Sequence, residues 1–200
     1  MNSHLHVPTD PGSDCLILTH GAGANRDCPL LIALADAFCA SGMTVLRFNL
    51  PFRQLRPQGP PSRGNAEGDQ QGIREAVATM RQQTSGHLFV GGHSYGGRQA
   101  SILAAAEPGL IDRLLLLSYP LHPPRRPDEL RTGHFPELKT PALFVHGTRD
   151  GFGSTDELIV AMRLITARTE LLEIASAGHE LLTKSNRQEF PNAVVEAFRF

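Results

Sequence analysis

The run Leu88-Phe89-Val90-Gly91-Gly92-His93-Ser94-Tyr95-Gly96-Gly97 decides how the rest of the chain is read. It begins as a short apolar strand and continues, after the glycines, as an alanine-rich stretch (Tyr95 to Ala106) with the character of a helix. Between the two sits Ser94 with Gly92 and Gly96 two residues to either side, so strand and helix can approach closely enough for a sharp turn. Working outward, the same alternation recurs. Apolar runs of about five residues (Cys15 to Thr19, Thr44 to Phe48, His87 to Gly91, Arg113 to Ser118, Ala142 to His146, Glu170 to Ile174) suit strands buried on both faces of a parallel sheet. Helical periodicity fills the intervals at Cys28 to Ser41, Asp69 to Gln83, Tyr95 to Ala106, Thr155 to Ala167 and Arg187 to Phe200. Strand–helix alternation of this kind predicts an α/β fold of about six mostly parallel strands with helices on both faces.

Length and composition narrow the function classes. Two hundred residues hold one domain, expected over 15–200, behind a loose N-terminal tail at 1–14. Lys+Arg 19 against Asp+Glu 20 gives a net charge of −1, which lacks the positive excess that nucleic acid or an anionic membrane demands of a partner. No apolar run is long enough to span a bilayer, and the first residues do not read as a signal peptide. Three cysteines without a Cys-x-x-Cys pair read as free thiols of a reducing, cytoplasmic protein. No metal-ligand spacing appears among the nine histidines, so no metal or other cofactor is expected, although His4 and His6 lie close enough in sequence to share an ion.

Gly92-His93-Ser94-Tyr95-Gly96 fits G-x-S-x-G in its strand–turn–helix setting, which presents a serine as a nucleophile. A serine hydroxyl needs a base. Of the histidines, His179 follows the last apolar run and precedes the final helix, which hangs it over the same sheet edge as Ser94. His146 lies inside a strand and reads as a satisfied core imidazole. The base needs an orienting carboxylate, and Asp150, just after the fifth run, is placed for it; Asp156 reads more simply as a helix N-terminal residue. The order Ser94, Asp150, His179 is the one that α/β-hydrolases use. Thr19-His20-Gly21-Ala22-Gly23-Ala24-Asn25 follows the first run, and its backbone amides, Ala22 first and Gly23 second, join Tyr95 N–H as expected oxyanion donors. A nucleotide loop is disfavoured because neither the third glycine of G-x-G-x-x-G nor a Gly-Lys-Ser/Thr ending is present.

Taken together, HGAGAN, RFNLPF, GGHSYGG, SYPLHPP, HGTRD and AGHE resemble a small lidless branch of the α/β-hydrolases, related to dienelactone hydrolase and including a subunit of the NSL chromatin complex. The resemblance covers nearly the whole chain from about Cys15. It implies a minimal α/β-hydrolase without a cap domain and a Ser–His–Asp site, hence a serine esterase or thioesterase (an amide is a lesser option) acting on a small, accessible acyl substrate. Ser94 stands where dienelactone hydrolase has a cysteine, so the lactone substrate does not carry over. Two leading strands usual in such folds have no counterpart among the apolar runs. The competing reading is a non-catalytic binding or scaffold protein on the same fold. Two Pro-, Arg- and Gly-rich segments, Leu50 to Gly68 and Pro120 to Leu138, are expected to form an irregular rim. From them and their neighbours, Arg47, Arg98 and Arg125, with Gly23, are candidate substrate contacts for a carboxylate- or phosphate-bearing ester, against a merely solvated rim; Arg47, which ends a buried strand, is the best placed for a structural or substrate clamp, and Arg53, Arg56, Arg63, Arg126 and Arg131 belong to the same set.

Overall fold

A computed structural model describes residues 2–199; the side chain of Arg63 lies outside what is described, as do Met1 and Phe200. The chain runs β1 (Ser3–His6), β2 (Cys15–Thr19), α1 (Pro29–Ala40), β3 (Thr44–Phe48), α2 (Pro51–Leu55), α3 (Ala66–Arg81), β4 (Leu88–His93), α4 (Tyr95–Ala106), β5 (Arg113–Leu117), β6 (Ala142–Gly147), α5 (Thr155–Met162), β7 (Thr169–Ile174) and α6 (Phe190–Phe198). The strands form one sheet in the order β1-β3-β2-β4-β5-β6-β7. All neighbours are parallel except β1, which lies antiparallel on β3 with Ser3 opposite Phe48.

Period-two alternation sorts each central strand between two cores. Cys15 and Ile17 face the core under α2, α3, α4 and α5, whereas Leu16 and Leu18 face the core under α1 and α6. Helices therefore cover both faces, as an all-parallel interior requires. Between β5 and β6 the only helical element is a three-residue turn, Phe135–Glu137, so no helical cap is inserted there. The chain steps from β2 out to β3 and then back across β2 to β4. That reversal places the topological switch between the C-terminal ends of β2 and β4, where such sheets open a crevice.

The structure corrects the sequence reading in four places. Residues 3–6, expected in a loose tail, form the edge strand β1, which brings the sheet to seven strands. Its sequence, SHLH, has no apolar run because an edge strand buries little; Leu5 is 40% exposed. Nor do His4 and His6 offer an ion site, since both His6 nitrogens are engaged: Nδ1 with Asp36 (3.2 Å) and Nε2 accepting from Arg47 Nε–H (2.9 Å). The segment 50–68, expected to be irregular, contains α2 and the start of α3. Finally α5 stops at Met162 rather than Ala167, because Arg163, Leu164 and Ile165 donate to carbonyls three residues back, a tighter turn that still buries Ile165. The three cysteines are free, and burial pushes the Cys15 thiol up to about 11.

Among the glycines, an added Cβ would meet backbone most closely at the β4–α4 turn. A Cβ on Gly92 would lie 2.3 Å from the Gly97 nitrogen. Gly92→Ala must therefore force strand and helix apart, and is expected to cost about 3 kcal/mol or more in urea denaturation. Gly23, which has nothing within 4 Å of an added Cβ, is the control; its alanine variant should stay within about 0.5 kcal/mol of the parent.

Candidate active site

The tight β4–α4 turn leaves Ser94 no ordinary conformation. Its φ is 49° and ψ −113°, a strained backbone that lifts the side chain above the sheet edge. Ser94 N–H donates to Leu117 O (2.8 Å), fixing the turn to β5. Two further loops reach it from β6 and β7, and they are laced to each other. Thr148 N–H donates to Ile174 O (3.1 Å), Arg149 N–H to Ala177 O (2.9 Å), and Ser176 N–H to Thr148 Oγ1 (2.9 Å). The lacing sets Asp150 beside His179 and both beside Ser94.

The result is a continuous hydrogen-bonded chain. His179 Nε2 is 2.8 Å from Ser94 Oγ, and His179 Nδ1 is 2.8 Å and 3.0 Å from the two Asp150 oxygens. A carboxylate accepts, so Nδ1 carries the proton and Nε2 is free to accept from the serine hydroxyl. Asp150 is buried; burial raises its pKa, but the His179 hydrogen bond and charge, the Phe152 amide and the nearby His146 together hold it below the usual carboxylate range. Two more contacts fix the imidazole. The Phe152 ring lies on it at 4.2 Å between centroids, and His93 Nε2–H donates to His179 O (2.8 Å) from under the turn. Burial, first of several causes, depresses the His93 pKa, which suits a neutral donor. His146 is only half satisfied: Nε2–H reaches Gly153 O (2.8 Å), but its buried Nδ1 has no partner and stands 4.0 Å from Asp150 Oδ2.

On the other side of Ser94 runs the 20–25 loop. His20 is fully buried, donating from Nδ1 to Gly21 O (2.8 Å) and accepting at Nε2 from Leu50 N–H (3.1 Å). Those partners fix one neutral tautomer, and burial pushes its pKa down to about 4. Tyr95, first residue of α4, has an amide without an intrahelical acceptor. Its phenol donates to Asp69 Oδ2 (2.7 Å), while Asp69 Oδ1 accepts Phe52 N–H (2.9 Å). Ser94, His179, Ala22, Gly23, Phe152 and Glu180 are among the residues lining a crevice of 290 Å³. A larger cavity of 670 Å³ lies at the opposite edge of the sheet among Phe38, Phe89 and Phe198, away from this chain of groups.

The expected residues Ser94, Asp150, His179, Ala22, Gly23 and Tyr95 thus come together. The arginines do not. Arg47 is buried against the segment behind the loop, bonded to Arg26 O, Asp27 (3.0 Å) and His6, and has no face on the crevice. Arg98 and Arg125 do not line it either: Arg98 packs by Tyr119 and His134, and Arg125 is exposed on the 118–138 loop. Asp156 sits in the first turn of α5, as a residue suited to a helix N-terminus. Sequence reasoning missed Phe152 and His93, whose contacts are made through the fold. It quoted Glu180 but gave it no role, although Glu180, which is exposed, is the one carboxylate lining the crevice among the described residues. Among the described residues no group of three His, Cys, Asp or Glu side chains is arranged to hold a metal.

Residues 12–197 match the family described as alpha/beta hydrolase domain. Solved structures share the fold over almost the whole chain. Est1E from Butyrivibrio proteoclasticus with bound ferulic acid superposes with a TM-score of 0.79 at 16% identity, covering 98% of this chain and 93% of that one. A serine hydrolase without a lid from Xanthomonas campestris gives 0.75 at 18%, covering 97% and 86%. Dienelactone hydrolase from Anabaena variabilis gives 0.74 at 20%, covering 98% and 89%. At these identities the likeness is one of fold.

The buried neutral His20 carries a pH signature. Its folded pKa of about 4 lies below the ordinary 6.5, so between those values the unfolded chain binds a proton that the folded chain refuses. Its share of stability is intact above 6.5 and is lost as the pH falls toward about 4. Between pH 7 and 5 the loss should be on the order of 2 kcal/mol, and urea midpoints of a His20→Gln variant should show a correspondingly flatter slope.

Proposed function

This chain belongs to the alpha/beta hydrolase domain family, and we propose that it is a serine hydrolase cleaving an ester or thioester of a small acyl group. The observation that carries the reading is the pair of 2.8 Å contacts that connect Ser94 Oγ to His179 and His179 to Asp150. In this mechanism Ser94 attacks the carbonyl carbon as His179 Nε2 takes its proton. Asp150 holds the tautomer and stabilises the imidazolium. The carbonyl oxygen becomes an oxyanion facing the amides of Tyr95 and Ala22, with Gly23 adjacent. Collapse of the tetrahedral species expels the alcohol or thiol with the proton from His179, leaving an acyl-Ser94; water, activated by the same imidazole, releases the acid.

The crevice supports a substrate narrower than the arginine-rich sequence suggested. It measures 290 Å³, among the described residues no arginine lines it, and the exposed Glu180 does. Short neutral acyl groups fit that chemistry better than carboxylate- or phosphate-bearing ones, because a like charge lining the crevice repels an incoming anion. Three unpaired thiols support a reducing, cytoplasmic setting.

A fluorophosphonate probe should label Ser94 stoichiometrically, as read by peptide mass spectrometry; absence of label on folded protein would favour the binding-scaffold alternative. On p-nitrophenyl acetate, Ser94→Ala should lower kcat by ~10⁶ and Asp150→Asn by ~10⁴, provided the Tm is retained. Across neutral and anionic esters of equal length, the parent should prefer the neutral ester. Glu180→Gln should narrow that preference about three- to tenfold in kcat/KM, since a single charge at a solvated rim is worth only about 1 kcal/mol.

A further inference from the structure

Arg53, the third residue of α2, is 5% exposed, and among the described residues its guanidinium bonds to backbone carbonyls and lies by one aromatic ring. Nη2–H donates to Ala22 O (2.7 Å) and Gly59 O (3.0 Å), Nε–H to Ala24 O (2.8 Å), and Nη1–H to Arg56 O (3.0 Å); the guanidinium carbon sits 5.0 Å from the Phe52 ring centre. Among the described residues no carboxylate pairs with it. Burying a guanidinium without a counter-ion is costly, and carbonyl dipoles offset only part of that cost. Arg47, Arg74, Arg81 and Arg113 all have acidic partners. A buried cation left unbalanced beside Ala22 and Ala24 asks what anion it is there to meet.

Peptide geometry answers. In a trans peptide plane the C=O and N–H point in opposite directions. The Gly21 carbonyl is drawn inward by His20 Nδ1–H, and the Ala22 carbonyl by Arg53 Nη2–H. The N–H groups across those same two planes belong to Ala22 and Gly23, and they are therefore turned outward. Neither has an acceptor among the described residues, whereas the next amide, Ala24 N–H, is closed onto Gly21 O (3.2 Å). Gly21 itself packs against the turn, since a Cβ there would lie 3.5 Å from Ser94 Cβ. The residue before Arg53, Phe52, donates its amide to Asp69, which also accepts the phenol of Tyr95, the residue that carries the other expected oxyanion amide.

We propose that Arg53 is a positioning residue of the oxyanion site: its guanidinium holds the 21–24 turn with the Ala22 and Gly23 amides facing Ser94, and it supplies the positive charge that balances the oxyanion when it forms. This rests on the serine-hydrolase reading above. An interaction of this kind stabilises the tetrahedral state more than the bound ester, so its loss falls on kcat and not on KM.

The test compares parent, Arg53→Ala and Arg53→Lys by steady-state kinetics on p-nitrophenyl acetate, by melting, and by hydrogen–deuterium exchange over residues 20–26. In Arg53→Ala, kcat should fall about 10²-fold with KM within about threefold, a loss like that of a missing oxyanion donor. Exchange over 20–26 should rise, and millimolar guanidinium chloride should recover part of kcat where equal sodium chloride does not. Arg53→Lys, which keeps the charge but not the fork, should lie between parent and Arg53→Ala. A folded Arg53→Ala with kcat close to the parent's, or with its loss confined to KM, would overturn the proposal. Should Arg53→Ala fail to melt cooperatively, the lysine variant decides by the same kcat-against-KM criterion. Should the parent take no fluorophosphonate label, the hydrolase reading fails by itself; exchange then decides whether Arg53 holds the turn, and unchanged exchange over 20–26 rejects it.

Discussion

The contact on which the site depends is the near-touching of β4 and α4 at Gly92 and Gly97. With no side chain on either residue the chain reverses inside two peptide planes, and the strain of that reversal is concentrated in Ser94 at φ 49°. A hydroxyl raised this way stands clear of its own strand and helix, so whatever activates it must arrive from other strands. Parallel strands end on one edge, and the loops that follow β2, β6 and β7 all open there. The sheet thus sets the direction of approach, and the hydrogen bonds between the 148–150 and 174–177 segments set the distance.

Electrostatics at this edge is arranged in pairs of opposite tendency. Asp150 is removed from water yet remains a carboxylate, because His179 and the Phe152 amide give back more than burial takes. His93 and His20 are removed from water without an acidic hydrogen-bond partner, and both serve as neutral donors: His93 ties the His179 loop to the turn, while His20 ties its own loop to Leu50. The three imidazoles of these loops and this turn therefore have different partners, and of the three only His179, with a carboxylate on Nδ1 and the serine on Nε2, is placed to take the serine's proton.

Much of this was legible in the sequence, for identifiable reasons. Buried parallel strands must be apolar on both faces, so β2 to β6 announce themselves, and the edge strand β7 still packs Leu171, Leu172 and Ile174 against the two cores; β1 does not, because an edge strand facing water on one side can be written SHLH. Ser94, Asp150 and His179 were readable because each directly follows or closely trails a strand, where chain position fixes place. Of the two roles open to Arg47, the structure shows the structural one, because a side chain this long can turn away from the strand end that bears it, here back to Asp27 and His6; Arg98, on α4, likewise packs away from the crevice. Phe152 and His93 act through a ring face and through another residue's carbonyl, contacts that no spacing rule encodes.

Arg47 and Arg53 show how little residue type says without partners. They lie six positions apart, both buried, and both brace the segment that follows β2. Arg47 carries its own anion in Asp27 and is complete in the resting protein. Arg53 grips backbone carbonyls and the Phe52 ring, so in the proposed mechanism its charge is balanced when an oxygen near Ala22 becomes negative. A site that stores a cation in advance does not reorganise when the charge appears, and pre-arranged dipoles and charges are where most of the stabilisation of a tetrahedral intermediate arises. On this view the cost of burying Arg53 is incurred in folding and returned in the transition state, which is also why the cation sits behind the loop and not in the crevice, where water would screen it and a substrate carboxylate would bind it in the ground state.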